Sequence, residues 1–244
     1  MCRSLAFSPS ALFFWVASAA GAPVSDFIFG EDNEGVPACA GTGFAIGATP
    51  EARSGSLGTQ HRYFVKTRAC NTSGVVTLGV SGGPTSWTKT LDPTSLTLSN
   101  DAVGVALLKV TVPTDADAGL GTFDLTATNN AVTSHGGATL TIANEWILHF
   151  APDGTGTDGS LHRFPILLLT LKVGATIRLI SDDTTTDHII HADGGGGLVH
   201  MNSGGPGLTA GQEWDMTLTA PTSTTGHIYC HSHFGPITPV QVVP

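Results

Sequence analysis

The sequence predicts an all-β protein made of two β-sandwiches, and three observations lead there. Short runs of Val, Leu, Ile and Thr are cut every few residues by Gly, Pro, Asn or Asp, and 31 Gly and 14 Pro leave little room for helices. Several runs alternate apolar with polar residues, the two-residue period of a half-buried strand. A length of 244 residues with 41 % apolar content is enough for two ordinary β domains, each with its own core.

The N-terminus reads as an export signal over residues 1–19. Arg3 supplies the positive start, Ala11 to Val16 a short apolar run, and Ala17-Ser18-Ala19 a small-x-small cleavage site. The run is too short to span a bilayer, and no later stretch reads as a membrane span. Residues 20–38 follow as an acidic leader without strand pattern. The expected location is the periplasm or the cell exterior.

Residues 39–144 are expected to form the first sandwich. His61 to Thr67 and Val75 to Val80 are strand-like, and Ser81-Gly82-Gly83-Pro84 reads as a turn. Leu96 and Leu98 alternate with Ser95, Thr97 and Ser99. Ala106 to Val112 is another strand. Phe123, Leu125 and Ala127 point one way and Thr122, Asp124 and Thr126 the other, and Leu140 and Ile142 repeat the pattern. Seven or so strands over about a hundred residues suit an immunoglobulin-like sandwich.

Residues 145–244 open a second unit at Trp146 to Phe150. A Gly/Asp/Thr loop, the apolar run Phe164 to Val173 and a strand over Ala175 to Ser181 follow. The polar turn Asp182 to Asp187 leads to His188. A Gly-rich stretch spans Gly194 to Gly207, and strands over 211–219, 227–230 and 240–243 close the unit.

Charge and cysteines narrow the function. The net charge is -9 with only ten Lys and Arg, which excludes the basic face of a nucleic-acid binder. Cys2 would leave with the signal, so Cys39, Cys70 and Cys230 remain. In an oxidising compartment the simplest partition is a Cys39–Cys70 disulfide and one remaining thiol. Cys230 pairing with Cys39 or Cys70 is the alternative. The histidines beside Cys230 argue against it, because a thiolate among imidazoles is a copper ligand set.

Those histidines lie in Tyr229-Cys230-His231-Ser232-His233 and in Asp187-His188-Ile189-Ile190-His191, with His188 placed 42 residues before Cys230. Blue copper needs one thiolate and two imidazoles in a near-trigonal plane, with a weak axial ligand or none. Cys-x-x-His in one tight loop and a further His from a neighbouring strand end meet that need. Two-residue alternation turns His231 away from the Cys230 side chain and puts His191 on the opposite sheet surface from His188. His191, His200 and His231 are therefore candidates for a secondary metal site or an electron exit.

With Leu171-Lys172-Val173-Gly174-Ala175-Thr176-Ile177-Arg178-Leu179, and with Gly207 to Gly211 before an alternating strand, these motifs make residues 145–244 resemble the cupredoxins of the plastocyanin/amicyanin-like group. The resemblance implies a Greek-key sandwich, copper as cofactor and His188, Cys230 and His233 as its equatorial ligands. It implies single-electron transfer with a redox partner protein rather than an enzyme. The family's axial Met is expected three or five residues after the second loop His, where this chain has Pro236 and Thr238. Without that thioether the expectation is a three-coordinate copper with a raised potential, a carbonyl or water approaching the metal, or a fourth His that makes a site that is not blue. Residues 39–144, through Gly83-Pro84-Thr85-Ser86-Trp87 and Gly121 to Thr128, resemble the Ig-like modules of secreted bacterial proteins. Competing functions are a catalytic copper protein of the nitrite reductase or multicopper oxidase kind, and copper storage or sensing. The first half offers only His61 and His135 toward further copper.

Overall fold

Strand formation follows the alternation of the sequence, and sixteen strands stand among the described residues. The computed structural model describes residues 35–130, 132–150, 167–185, 187–201, 206–230 and 237–244. The expected export signal and most of the leader lie outside them, as do His231 and His233.

Nine strands precede Asn144: β1 (Gly43–Thr49), β2 (Ala52–Gly55), β3 (Gln60–Cys70), β4 (Gly74–Gly82), β5 (Thr88–Asp92), β6 (Ser95–Leu98), β7 (Val103–Thr111), β8 (Gly119–Asn129) and β9 (Val132–Ile142). They form one sheet in the order β1-β3-β7-β5 and a second in the order β2-β9-β8-β4-β6. All pairs are antiparallel except β2 with β9. The inward faces meet in a core of Tyr63, Val65, Leu108, Val110, Phe123, Leu125 and Leu140. Tyr63 meets Phe123 edge to face at 6.3 Å, so the two sheets touch through aromatic side chains. Tyr63 keeps its hydroxyl satisfied inside this core by donating to the Thr139 carbonyl at 2.8 Å. A disulfide joins Cys39 to Cys70 at the end of β3, with 5.6 Å between their Cα atoms.

Seven strands follow: β10 (Glu145–Phe150), β11 (Leu169–Lys172), β12 (Thr176–Ser181), β13 (Ile190–Asp193), β14 (Glu213–Thr217), β15 (Gly226–Cys230) and β16 (Thr238–Val243). One sheet runs β10-β12-β14 and the other β11-β16-β15-β13. Two pairings are parallel, β10 with β12 and β11 with β16. Ile177, Leu179 and Met216 face inward from the first sheet, and Leu171, Val242, Ile228 and Ile190 from the second. Together they form the sandwich core on which the candidate site is mounted.

The join between the two pairs of sheets is short and hydrogen-bonded. Leu57 N–H donates to the Glu145 carbonyl at 2.8 Å, Ala143 N–H to Gly55 at 2.9 Å, and Thr176 N–H to Asn144 at 2.9 Å. Lys172 pairs with Asp117 across the join. One apolar cluster runs through both sandwiches.

Candidate metal centre

Cys230 is the last residue of β15, and the strand's alternation aims it inward. Gly226, Ile228 and Cys230 are buried while His227 and Tyr229 face out. Cys230 stands opposite Ile190 in the antiparallel β13–β15 pair. His188 lies two residues before Ile190 and shares its inward side, with none of its surface exposed. The result is a His188 Nδ1 to Cys230 Sγ separation of 3.5 Å in the buried end of the sandwich.

The backbone around His188 is clamped by the Gly-rich stretch. His188 N–H donates to the Leu208 carbonyl at 3.1 Å, and Leu208 N–H returns to the His188 carbonyl at 2.8 Å. Gly207 makes the approach possible, because a Cβ there would stand 2.9 Å from the His188 nitrogen. Met201 seals the free edge of β13. Its N–H donates to the Ile190 carbonyl at 3.0 Å, and its thioether sulfur accepts the Ile190 N–H at 3.4 Å. The Met201 sulfur is thus engaged by backbone. Met216 stays in the core of β14, opposite Ile177.

A buried carboxylate holds the other side of the imidazole. Asp183 continues the inward register of Ile177, Leu179 and Ser181 past the end of β12, and is 1 % exposed. Its Oδ2 lies 2.8 Å from His188 Nε2. Its Oδ1 accepts the Thr185 N–H at 2.8 Å and the Thr185 hydroxyl at 2.7 Å. Carboxylate, imidazole and thiol therefore stand in line. Sequence reasoning passed over Asp183 as part of a polar turn; the alternation running on from β12 was the signal that would have placed it inside.

The remaining candidates separate by face. His191 lies outward on β13, stacked on Tyr229 at 4.4 Å and edge-on to His200 at 4.3 Å between ring centres. His200 also contacts the Met201 carbonyl through Nδ1. Asp193 reaches His227 Nδ1 at 3.1 Å and His191 Nε2 at 3.8 Å. This outer group is on the far side of the sheet from Cys230. Thr238, at the start of β16, is buried, whereas Pro236, His231 and His233 lie outside the described residues. Among the described residues no three His, Cys, Asp or Glu side chains converge on a common point. The described part of the expected copper set is the His188–Cys230 pair.

That pair suits a soft divalent or monovalent transition metal. A nitrogen and a sulfur bound tetrahedrally to one metal, at about 2.0–2.1 and 2.3 Å, stand about 3.5 Å apart. The same spacing is that of an S–H···N hydrogen bond, so the distance alone does not single out a metal. Thiolate with imidazole is a donor set that copper and zinc both accept.

The fold and the pair define an all-β sandwich protein with a buried histidine–cysteine couple at one end. No family model matches the sequence, and no curated protein matches it. Three solved structures that it resembles each align with less than half of it. A family 123 glycoside hydrolase from Clostridium perfringens has 13 % identity and a TM-score of 0.33, covering 44 % of this chain and 30 % of its own. A FixG-related protein from Vibrio parahaemolyticus has 12 % identity and a TM-score of 0.32, covering 41 % and 94 %. A non-cellulosomal cohesin from the hyperthermophilic archaeon Archaeoglobus fulgidus has 13 % and 0.27, covering 41 % and 91 %.

Proposed function

We propose that this chain is an exported copper protein that carries single electrons through a mononuclear site of His188, Cys230 and His233, with residues 145–244 a cupredoxin-like domain. The observation that carries the reading is the buried His188–Cys230 pair, 3.5 Å apart between Nδ1 and Sγ. Bound copper would supply a one-electron couple. The chain's own part is to hold the donors still. The Leu208 clamp, the β13–β15 register and the Asp183 contact hold His188 and Cys230 in a buried, packed end of the sandwich. Fixed donors keep reorganisation small between oxidation states. The Cys39–Cys70 disulfide supports export to an oxidising compartment, the periplasm or the exterior. Among the described residues no helix is long and apolar enough to cross a membrane. The partner on this reading is a redox protein.

The test is to add Cu(II) to the purified protein. Intense visible absorption from a thiolate–copper bond, at one copper per chain, is expected. A colourless product, or colour that survives Cys230→Ala, would sink the proposal. A copper ratio well above one would favour the catalytic or storage reading instead.

A further inference from the structure

We infer that Asp183 is the positioning residue of the proposed copper site: it fixes the His188 tautomer whose bare Nδ1 faces Cys230, and its charge opposes the raised potential expected without an axial thioether. The inference rests on the copper reading above.

The tautomer follows from donor counting. An ionised carboxylate only accepts hydrogen bonds. Asp183 receives the Thr185 N–H and hydroxyl on Oδ1, and its Oδ2 faces the imidazole. At 2.8 Å, His188 Nε2 must then be the protonated nitrogen. Nδ1 points at the Cys230 sulfur and is the one ring nitrogen placed to share a metal with it; in the neutral imidazole protonated at Nε2 it carries the lone pair. The ring is kept in this orientation by its complete burial and by the 2.8 Å contact of Nε2 with Asp183, while Leu208 fixes the backbone that carries it. Such a carboxylate behind a ligating imidazole also raises the basicity of the ligand.

The charge acts on the redox balance. Asp183 is 1 % exposed and His188 is fully buried, so solvent screens the carboxylate little. A buried negative charge hydrogen-bonded to a ligand favours Cu(II) over Cu(I). Absence of a thioether at Pro236 or Thr238 pushes the other way. The site is thereby a compromise between the two.

Asp183→Asn separates these effects, because an amide has only one oxygen. The Thr185 N–H is fixed backbone and claims that oxygen, so the amide NH₂ faces His188 Nε2. The favoured tautomer becomes Nδ1–H, which has no lone pair for a metal beside Cys230. Thr185→Val removes the hydroxyl donor but keeps the charge and the backbone donor.

The experiment uses the full-length chain labelled with nitrogen-15, with His188 signals assigned by comparison with His188→Gln. In the metal-free wild type the expected result is a protonated Nε2 and a bare Nδ1, retained in Thr185→Val and inverted in Asp183→Asn. With Cu(II) as the probe, Asp183→Asn should bind copper at least tenfold more weakly. The fraction it binds should favour Cu(I) at least tenfold more than wild type, about 59 mV for one electron. A protonated Nδ1 in the wild type overturns the inference whether or not the variant folds. So does an unmoved affinity and potential in Asp183→Asn. Correct tautomers in a protein that takes no copper overturn the function and the redox half of the inference but uphold the tautomer half, so the two failures read differently.

Discussion

His188 Nδ1 and Cys230 Sγ lie 3.5 Å apart although 42 residues separate them in the chain. The approach is made by the β13–β15 register, which sets Ile190 opposite Cys230. If copper occupies this place, His188→Ala, Cys230→Ala and His233→Ala each abolish the visible absorption of the copper-loaded protein, and His231→Ala leaves it. An unchanged spectrum in His233→Ala would refute the ligand assignment.

Gly207 is the contact point between the Gly-rich stretch and the His188 backbone. A Cβ there would meet the His188 nitrogen at 2.9 Å and the carbonyl carbon at 3.1 Å, neither of which can rotate away. Gly207→Ala is expected to cost about 1–3 kcal/mol of stability, as overpacking does, and to weaken copper binding. Gly41→Ala meets nothing within 4 Å and serves as the silent control. Urea unfolding of both variants checks the difference; equal midpoints would remove the steric argument.

Tyr63 gives the first sandwich a pH limit. Burial pushes its hydroxyl up to about 12, with Arg53 pulling the other way. The unfolded chain releases that proton near pH 10, so between about pH 10 and 12 the folded state holds more protons than the unfolded. Stability is then full below pH 10 and falls as pH rises toward 12, by about 3 kcal/mol for two units. Denaturation at pH 9 and pH 12 measures the fall. In Tyr63→Phe that part of the slope disappears, at the cost of leaving the Thr139 carbonyl without its donor.

The Cys39–Cys70 disulfide closes a long loop, with a sequence separation of 31. The double variant Cys39→Ser/Cys70→Ser is expected to lose about 2–5 kcal/mol. The copper spectrum should not change, because Cys230 belongs to a different pair of sheets. Loss of colour on removing the disulfide would show that Cys230 depends on the first sandwich.

Much of the strand layout was legible because the two-residue period survives in the side chains. Phe123, Leu125 and Ala127 are buried, as are Leu140 and Ile142. Strand β1 was not legible: Phe44, Ile46 and Ala48 alternate with Gly, Ala and Thr too small or too plain to mark a face. Strand β5 carries a single large apolar residue, Leu91, among polar ones. The three parallel pairings were out of reach for another reason, since the register between distant strands leaves no local pattern.

By itself the sequence determined the chemical types available: four cysteines, with histidines on both sides of Cys230, and no methionine three or five residues after His233. It also determined which face the clearly alternating strands turn inward, because alternation there is written residue by residue. Only the tertiary structure decided which of these groups meet. It brought His188 to Cys230, kept His191 on the outer face with Tyr229, tied the Met201 sulfur to a backbone N–H, and placed Asp183 behind the imidazole. The reason is that sheet register and loop closure act between residues far apart in the chain, and a buried carboxylate in a polar turn looks in sequence like any other.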